Sequence, residues 1–479
     1  MIVSTCQYWC SESKMTFFIN SVGANHLGQY IVFITRPTDN NVHRMEGCRQ
    51  EVSSLTYRHE KKGFCCKFGA VERFWYAKGR MRFDRHLLQL QGNRIALVIR
   101  SELFANEVVL MKRYYVNMDD VTTVKAWNQF RRWQAERKDR LKTKDYSYVV
   151  PNVEPDIAFL NTNQTETTIT WIGHSTFLLQ IGGLNIVTDP IWATRMATQA
   201  RLAPPGIPIE KMPPVDIVII SHSHYDHLHI KSLRKLTGPQ TKVIVPDGLL
   251  GKMKRKGFSN VHELAWWEHL TIAERVKITF VPAQHWTRRT LTDMNRSHWG
   301  GYVLEHVSRD AKATKRSTTK GASELSVSSC RKSSDALPYK EEQGAAYETI
   351  YFAGDSGYFR GFELIGERFR IDVALLPIGA YEPEWFMSQQ HVSPEEALQA
   401  FEDVKAAKMI PMHYGAFKLA DDTPKEALDR LEAERVKRGI AQERVCVLAH
   451  GEIWNFAEAF GKSVSVVPSS SSRVRLESQ

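Results

Sequence analysis

The sequence predicts an α/β layered sandwich over residues 151–460. Three observations carry this. The first is a strand–turn–strand run: Thr168 to Ile172, Phe177 to Ile181 and Leu184 to Thr188 are rich in β-formers and are separated by Gly173-His174 and Gly182-Gly183. The second is Asp216-Ile-Val-Ile-Ile-Ser221, a short continuous apolar run that suits a strand buried on both faces. Further strand candidates follow at Lys242 to Pro246, Val276 to Pro282, Trp299 to Leu304, Thr349 to Ala353, Val373 to Pro377, Met409 to Met412 and Val445 to Leu448. The third is a pair of helical runs among them, Pro394 to Lys408 and Pro424 to Arg438. Ser393 and Thr423 stand as N-caps and each proline falls in a first turn. Two strand-rich halves, each with helices, imply packed layers.

The rest of the chain reads differently. Residues 1–110 show poorly periodic hydrophobicity and are expected to be an N-terminal extension of unassigned fold and little order; the functional polypeptide is expected to begin near Met111. Residues 111–150 form a basic segment. Within it Val124, Trp127, Phe130 and Trp133 recur every three residues, which predicts an amphipathic docking helix over 121–142. A Ser-, Thr- and Lys-rich stretch near 307–347 reads as a disordered insertion, and 461–479 as a disordered tail. The net charge of +11 comes from residues 1–150, with 25 Lys and Arg against 14 Asp and Glu; the remainder is balanced. A basic face such as Arg131 to Lys144 reads first as a solvated helix surface. Seven cysteines at irregular spacing do not form a disulfide framework. The absence of an apolar span and of a secretory leader leads to the expectation of a cytoplasmic protein.

The chemistry concentrates in Ser221-His222-Ser223-His224-Tyr225-Asp226-His227-Leu228, directly after the buried Asp216 to Ile220 run. Four potential metal ligands in six residues, anchored by a strand end, are what a rigid metal site needs. Alternation lets His222 and His224 point one way, while Asp226 and His227 face the other, so one loop can serve two ions. The loop alone is short of ligands for two ions. Three later residues also end apolar runs: His285 after Ile278-Thr-Phe-Val-Pro-Ala-Gln, Asp355 after Tyr351-Phe-Ala-Gly, and His413 after Met409-Ile-Pro-Met. The predicted arrangement is His222, His224 and His285 on one zinc and Asp226, His227 and His413 on the other. Asp355 bridges them, since its two oxygens can meet two cations. Two such ions acidify a shared water and clamp attacking and leaving oxygens, with Asp226 able to orient that water. All-nitrogen and oxygen ligation suits zinc, with iron and manganese open.

The loop, together with Trp171-Ile-Gly-His174-Ser-Thr, Thr188-Asp-Pro190, Gly354-Asp355-Ser-Gly and His413, resembles the metallo-β-lactamase superfamily. Three longer runs are similar to N-acylphosphatidylethanolamine phospholipase D and its bacterial relatives: Pro282-Ala-Gln-His-Trp-Thr-Arg-Arg-Thr-Leu291, Pro377-Ile-Gly-Ala-Tyr-Glu-Pro-Glu-Trp-Phe-Met387 and Gln390-His-Val-Ser-Pro-Glu-Glu396. The resemblance spans roughly residues 145–457. It implies a four-layer αββα fold, a site with two Zn2+ per chain, and hydrolysis of a phosphodiester in an N-acylated membrane lipid. The products would be N-acylethanolamine and phosphatidic acid. It further implies that Gln390 and His391 lie near the substrate phosphate, with His391 able to protonate the leaving group. His174 reads as an orienting residue rather than a ligand, and His450 as a packing residue. The expected partners are a small-molecule or phospholipid substrate and a peripheral membrane surface, with no nucleic acid, and a homodimer left open. A zinc lactonase or other ester hydrolase shares the same loop, and a non-catalytic metal-binding or membrane-associated module is the reading from another class. No GxSxG elbow or P-loop supports serine-hydrolase or nucleotide chemistry.

Overall fold

A computed structural model of the chain describes residues 114–123, 125, 127–196, 199–307 and 347–461. Before residue 111 it describes only backbone strands, from Val3–Tyr8 to Val109–Leu110, in a five-stranded and a four-stranded sheet. The insertion and tail expected near 307–347 and 461–479 lie almost wholly outside the described residues. The chain divides into two compact units. The first comprises Met1–Val124, Gln284–Trp299 and Lys320–Lys340; the second comprises Lys125–Ala283, Gly300–Thr319 and Glu341–Gln479.

The second unit is built on two sheets. Its main strands are β1 (Thr168–Gly173), β2 (Thr176–Ile181), β3 (Leu184–Thr188), β4 (Ile217–Ile219), β5 (Lys242–Pro246), β6 (Val261–Leu264), β7 (His269–Ile272), β8 (Val276–Val281), β9 (Gly301–Val307), β10 (Tyr347–Phe352), β11 (Val373–Pro377), β12 (Lys408–Met412) and β13 (Ile453–Asn455). One seven-stranded sheet runs β6-β5-β4-β3-β2-β1-β13 and one six-stranded sheet runs β7-β8-β9-β10-β11-β12. In each sheet antiparallel hairpins give way to parallel neighbours: β3 to β6 in the first, β10 to β12 in the second. The result is the expected α/β sandwich with helices outside two sheets.

The continuous apolar runs explain the layering. On one face of the first sheet Ile172, Leu178, Val187, Val218, Ile220, Val243 and Val245 pack with Leu233 and Leu236 of the helix Ile230–Leu236 and with Met253 of Leu250–Arg255. The alternate residues Ile169, Trp171, Phe177, Leu179, Ile186, Ile217, Ile219 and Ile244 are also fully buried, so these strands are covered on both faces. Tyr302 of β9 links the sheets by donating from its hydroxyl to the Ile220 carbonyl at 2.9 Å. The second sheet carries Pro394–Asp403, in which Ala397, Leu398 and Phe401 are buried. Its start is a full capping box between Ser393 and Glu396, and Thr423 caps Pro424–Lys437 by accepting from the Glu426 backbone N–H.

Three expectations need correction. The first helix ends at Asp403 rather than Lys408, because Lys405 adopts a left-handed backbone (φ 55°) that stops it before β12. Val445 to Leu448 is not a strand; Val445 makes one bridge to Met409. There the chain leaves the second sheet for the first. The backbone N–H of Gly451 donates to the Trp171 carbonyl, and β13 then pairs with β1. The predicted apolar stripe also fails in part. In the helix Trp127–Arg140, Trp133 is 8% exposed but Phe130 is 38% and Trp127 71% exposed. Residues spaced by three drift about 60° per step around a helix, so Trp127 and Trp133 lie about 120° apart and cannot both face the core. Trp133 is the anchor. It stacks on Phe386 at 5.0 Å and donates from its indole N–H to Asp421, whose buried carboxylate also pairs with Arg137 and Arg140. No described helix is long and apolar enough to cross a membrane.

The first unit's described part is small and held by side-chain to backbone bonds. Asn117 accepts from the His285 backbone N–H and donates to the His285 carbonyl, which also accepts from Thr123. The Trp299 indole donates to Asn117, and Asn295 receives the Thr287 N–H.

Trp133→Ala is expected to lower unfolding stability by about 3 kcal/mol, measured by denaturant titration. Trp127→Ala, at a solvated position, should stay within about 0.5 kcal/mol of the parent.

Candidate metal centre

Parallel strands bring their C-terminal ends to one edge, and that is where the polar residues gather. His174 follows β1, Asp189 follows β3, the His222–His227 loop follows β4, Asp355 follows β10 and His413 follows β12. Each sits where a strand stops and the backbone turns. His174, Asp189 and His413 take positive φ (57°, 32° and 64°), which non-glycine residues adopt at a cost and which clusters at functional sites. Gly354 (φ 63°) has a packing reason as well: a Cβ there would come within 2.6 Å of Ser221 Cβ. Only glycine lets Asp355 approach the loop.

Six of the seven expected ligands lie in the second unit, and they are all brought together. His222 Nε2 stands 2.9 Å from His224 Nδ1. Asp226 Oδ2 stands 3.4 Å from His227 Nε2 and 3.8 Å from His413 Nε2. Asp355 lies between these groups. Its Oδ1 is 3.1 Å from His413 Nε2; its Oδ2 is 3.2 Å from His227 Nε2 and 4.0 Å from His222 Nε2. His174, Asp226, His227 and His413 form one cluster able to hold an ion. His285 belongs to the first unit, where it is fully buried and its backbone is clamped by Asn117 and Thr123.

The electrostatics require positive charge here. Burial disfavours the ionised form of Asp355, yet His227 and His413 hold its carboxyl well below the usual range. Asp226 behaves likewise, with His227 first among its partners and His174 donating to it. Conversely, burial works against a charged His413, but Asp355 and Asp226 raise it to about 9. His224, by contrast, is pushed down to about 4, first by burial. Two carboxylates among buried imidazoles are thus balanced by protons that a cation would replace.

The donor set fits such a cation. A tetrahedral ion with bonds of about 2.0–2.1 Å places its ligand atoms roughly 3.3–3.4 Å apart. The Asp226–His227, Asp355–His227 and Asp355–His413 pairs, at 3.4, 3.2 and 3.1 Å, are near that spacing. Buried His227 Nε2 and His413 Nε2 both face Asp226 and Asp355, as the ligand atoms of one ion should.

The motif residue to which the sequence analysis gave no role is Asp189. Fully buried, it receives the His227 Nδ1 proton at 2.7 Å, the Ser221 backbone N–H at 2.7 Å and the Ser221 hydroxyl. It thereby fixes the His227 tautomer with Nε2 facing inward and ties the loop to β3. The signal was present in Thr188-Asp-Pro190, an acid at the end of an apolar strand. His174 donates to Asp226 at 3.2 Å. His450 is packed edge-on to Trp171 at 4.4 Å. His391 Nδ1 lies 3.8 Å from Asp355 Oδ2 and its ring stacks on His413, so it reaches the cluster. Gln390 is instead buried, with its amide directed to the Met387 sulfur.

Asp189→Asn should keep the fold but weaken divalent-metal affinity by about 10- to 100-fold, read by competition with a chromophoric chelator.

Comparison with known proteins identifies the family. A family model described as a beta-lactamase superfamily domain matches residues 184–314 and 332–414. An N-acyl-phosphatidylethanolamine-hydrolyzing phospholipase D of Caenorhabditis elegans is 31% identical over 60% of this chain and 76% of its own. A mitochondrial protein of the same description from Saccharomyces cerevisiae is 31% identical over 55% of this chain; there the match spans about half, 51%, of the yeast protein. A metal-dependent hydrolase of Pyrobaculum arsenaticum is 26% identical over 60% of this chain and 98% of its own. The chain belongs to the metallo-β-lactamase superfamily, as a metal-dependent hydrolase similar to the N-acyl-phosphatidylethanolamine-hydrolyzing phospholipases D.

Proposed function

We propose that this chain is a two-zinc phosphodiesterase that cleaves N-acylated phosphatidylethanolamine into N-acylethanolamine and phosphatidic acid. The observation that carries the reading is the placement of Asp355, with one oxygen toward His413 and the other toward His227 and His222. A carboxylate so placed suits a bridge between two ions. His222 and His224 would contribute to one; Asp226, His227 and His413 would hold the other. Bound there, the ions would supply Lewis-acid stabilisation to charge developing on the phosphoryl oxygens.

The chain's own groups do the rest. Asp189 and His174 keep His227 and Asp226 aimed inward. His391 turns Nδ1 toward Asp355, which leaves Nε2 as the atom we assign to the leaving oxygen and its proton. The phospholipid reading draws on the relatives' described activity. It is also supported by the exposed aromatic and basic face of the helix Trp127–Arg140, where Trp127 projects and Arg132 lies over Trp385. Such a face suits peripheral contact with a membrane.

The zinc-loaded protein is expected to release N-acylethanolamine from N-acylphosphatidylethanolamine. Chelation should abolish the activity, and Asp355→Asn should reduce it to background. Lactone opening without lipid cleavage, with both substrates assayed in parallel, would replace the substrate assignment. His391→Ala should lower kcat by about 100-fold with zinc content unchanged; an unchanged kcat would remove His391 from proton transfer.

A further inference from the structure

Arg201 is a largely buried guanidinium that no carboxylate among the described residues meets. Burial alone pushes it down to about 10, so it stays charged at neutral pH. A buried cation without an acid beside it is costly, and its position calls for a reason. Its contacts are with backbone and rings. Nε donates to the Ala203 carbonyl at 2.8 Å and Nη1 to the Ile191 carbonyl at 3.0 Å. Its central carbon lies 5.1 Å from the centre of the Phe417 ring. Nη2 closes on Gly173, where a Cβ would come within 2.8 Å of it.

Each of these contacts is one short step from the metal cluster. Ile191 stands two residues after Asp189, which receives the His227 Nδ1 proton. Gly173 precedes His174, whose ring donates to Asp226 and whose carbonyl accepts from the His413 backbone N–H. Phe417 meets the His174 ring edge-on at 5.7 Å and follows His413 by four residues. The main chain repeats the link, since the Leu202 N–H donates to the Ala416 carbonyl at 2.8 Å. Ile191, Ala416 and Phe417 also form a small buried cluster of their own. The three routes converge on Asp226, His227 and His413. His222 lies a bond further on, past the Ser221 hydroxyl at 2.9 Å.

Backbone strain gives the contacts their purpose. Asp189, His174 and His413 hold positive φ of 32°, 57° and 64°. Such turns persist when their surroundings over-determine them. Arg201 touches the segment of all three, and its planar fork can hold two carbonyls in a fixed relation. We infer that Arg201 is a positioning residue for the ion assigned to Asp226, His227 and His413, bracing from one side chain the three turns that carry Asp189, His174 and His413. The inference rests on the two-ion reading given above.

Co2+ titrated into the metal-free full chain, followed by its visible absorption, tests it. Arg201→Met keeps the reach of the side chain and removes every donor. It should weaken one of two binding steps by about ten-fold, change the Co2+ band shape of that step and leave the other step as in the parent. Arg201→Lys retains the charge without the fork and should not restore the weakened step. Phe417→Leu removes the ring contact alone; it should weaken the same step by less, and it carries the test if Arg201→Met does not fold. Equal weakening of both steps, parental affinity in Arg201→Lys, or a folded Arg201→Met that binds like the parent overturns the role of Arg201 and leaves the metal centre standing. A parent chain that takes up no Co2+ overturns the metal centre itself, and this role with it.

Discussion

Burying two carboxylates beside several imidazoles at the ends of two parallel strand groups is the constraint on which this structure turns. Asp226 and Asp355 are held ionised, and His413 and His227 are biased toward the charged form, because each is the other's compensation. Leaving such groups unpaired in a protein interior would cost several kcal/mol each. The arrangement therefore makes sense as a receptor for cations, and the surrounding fold supplies the rigidity. Strands buried on both faces leave their C-terminal ends little freedom. The left-handed turns at His174, Asp189 and His413 are sustained because packed sheets over-determine them.

Outside the ligands, the same economy recurs. Asp189 uses one carboxylate to set the His227 tautomer and to pin Ser221, so a single side chain joins β3 to the metal loop. Asp421 does a comparable task on the surface helix, gathering Trp133, Arg137 and Arg140 around one buried carboxylate. In both places a buried acid is acceptable because every near neighbour is a donor.

Much of the fold was legible from local pattern. Lys242 to Pro246 and Val373 to Pro377 end where expected, because continuous apolar runs bounded by polar residues have few other solutions. The caps at Ser393 and Thr423 were legible for the same reason: capping is chemistry between residues three apart. Val445 to Leu448 misled, since its β-branched residues serve a crossing between sheets rather than a ladder. The aromatic series from Trp127 to Trp133 misled because a spacing of three looks periodic in sequence but drifts on a helix, and only the packing partner Phe386 decides which ring is buried.

By itself the sequence determined the metal-binding chemistry: histidines and aspartates at the ends of apolar runs, in an order whose ligand character local spacing reveals. The tertiary structure alone decided that Asp355 lies between the two histidine groups, that Asp189 supports His227, and that His391 reaches the cluster while Gln390 turns to Met387. The physical reason is separation along the chain. Asp189 and His227 are 38 residues apart, and their hydrogen bond exists only because parallel pairing of β3 with β4 sets two strand ends side by side.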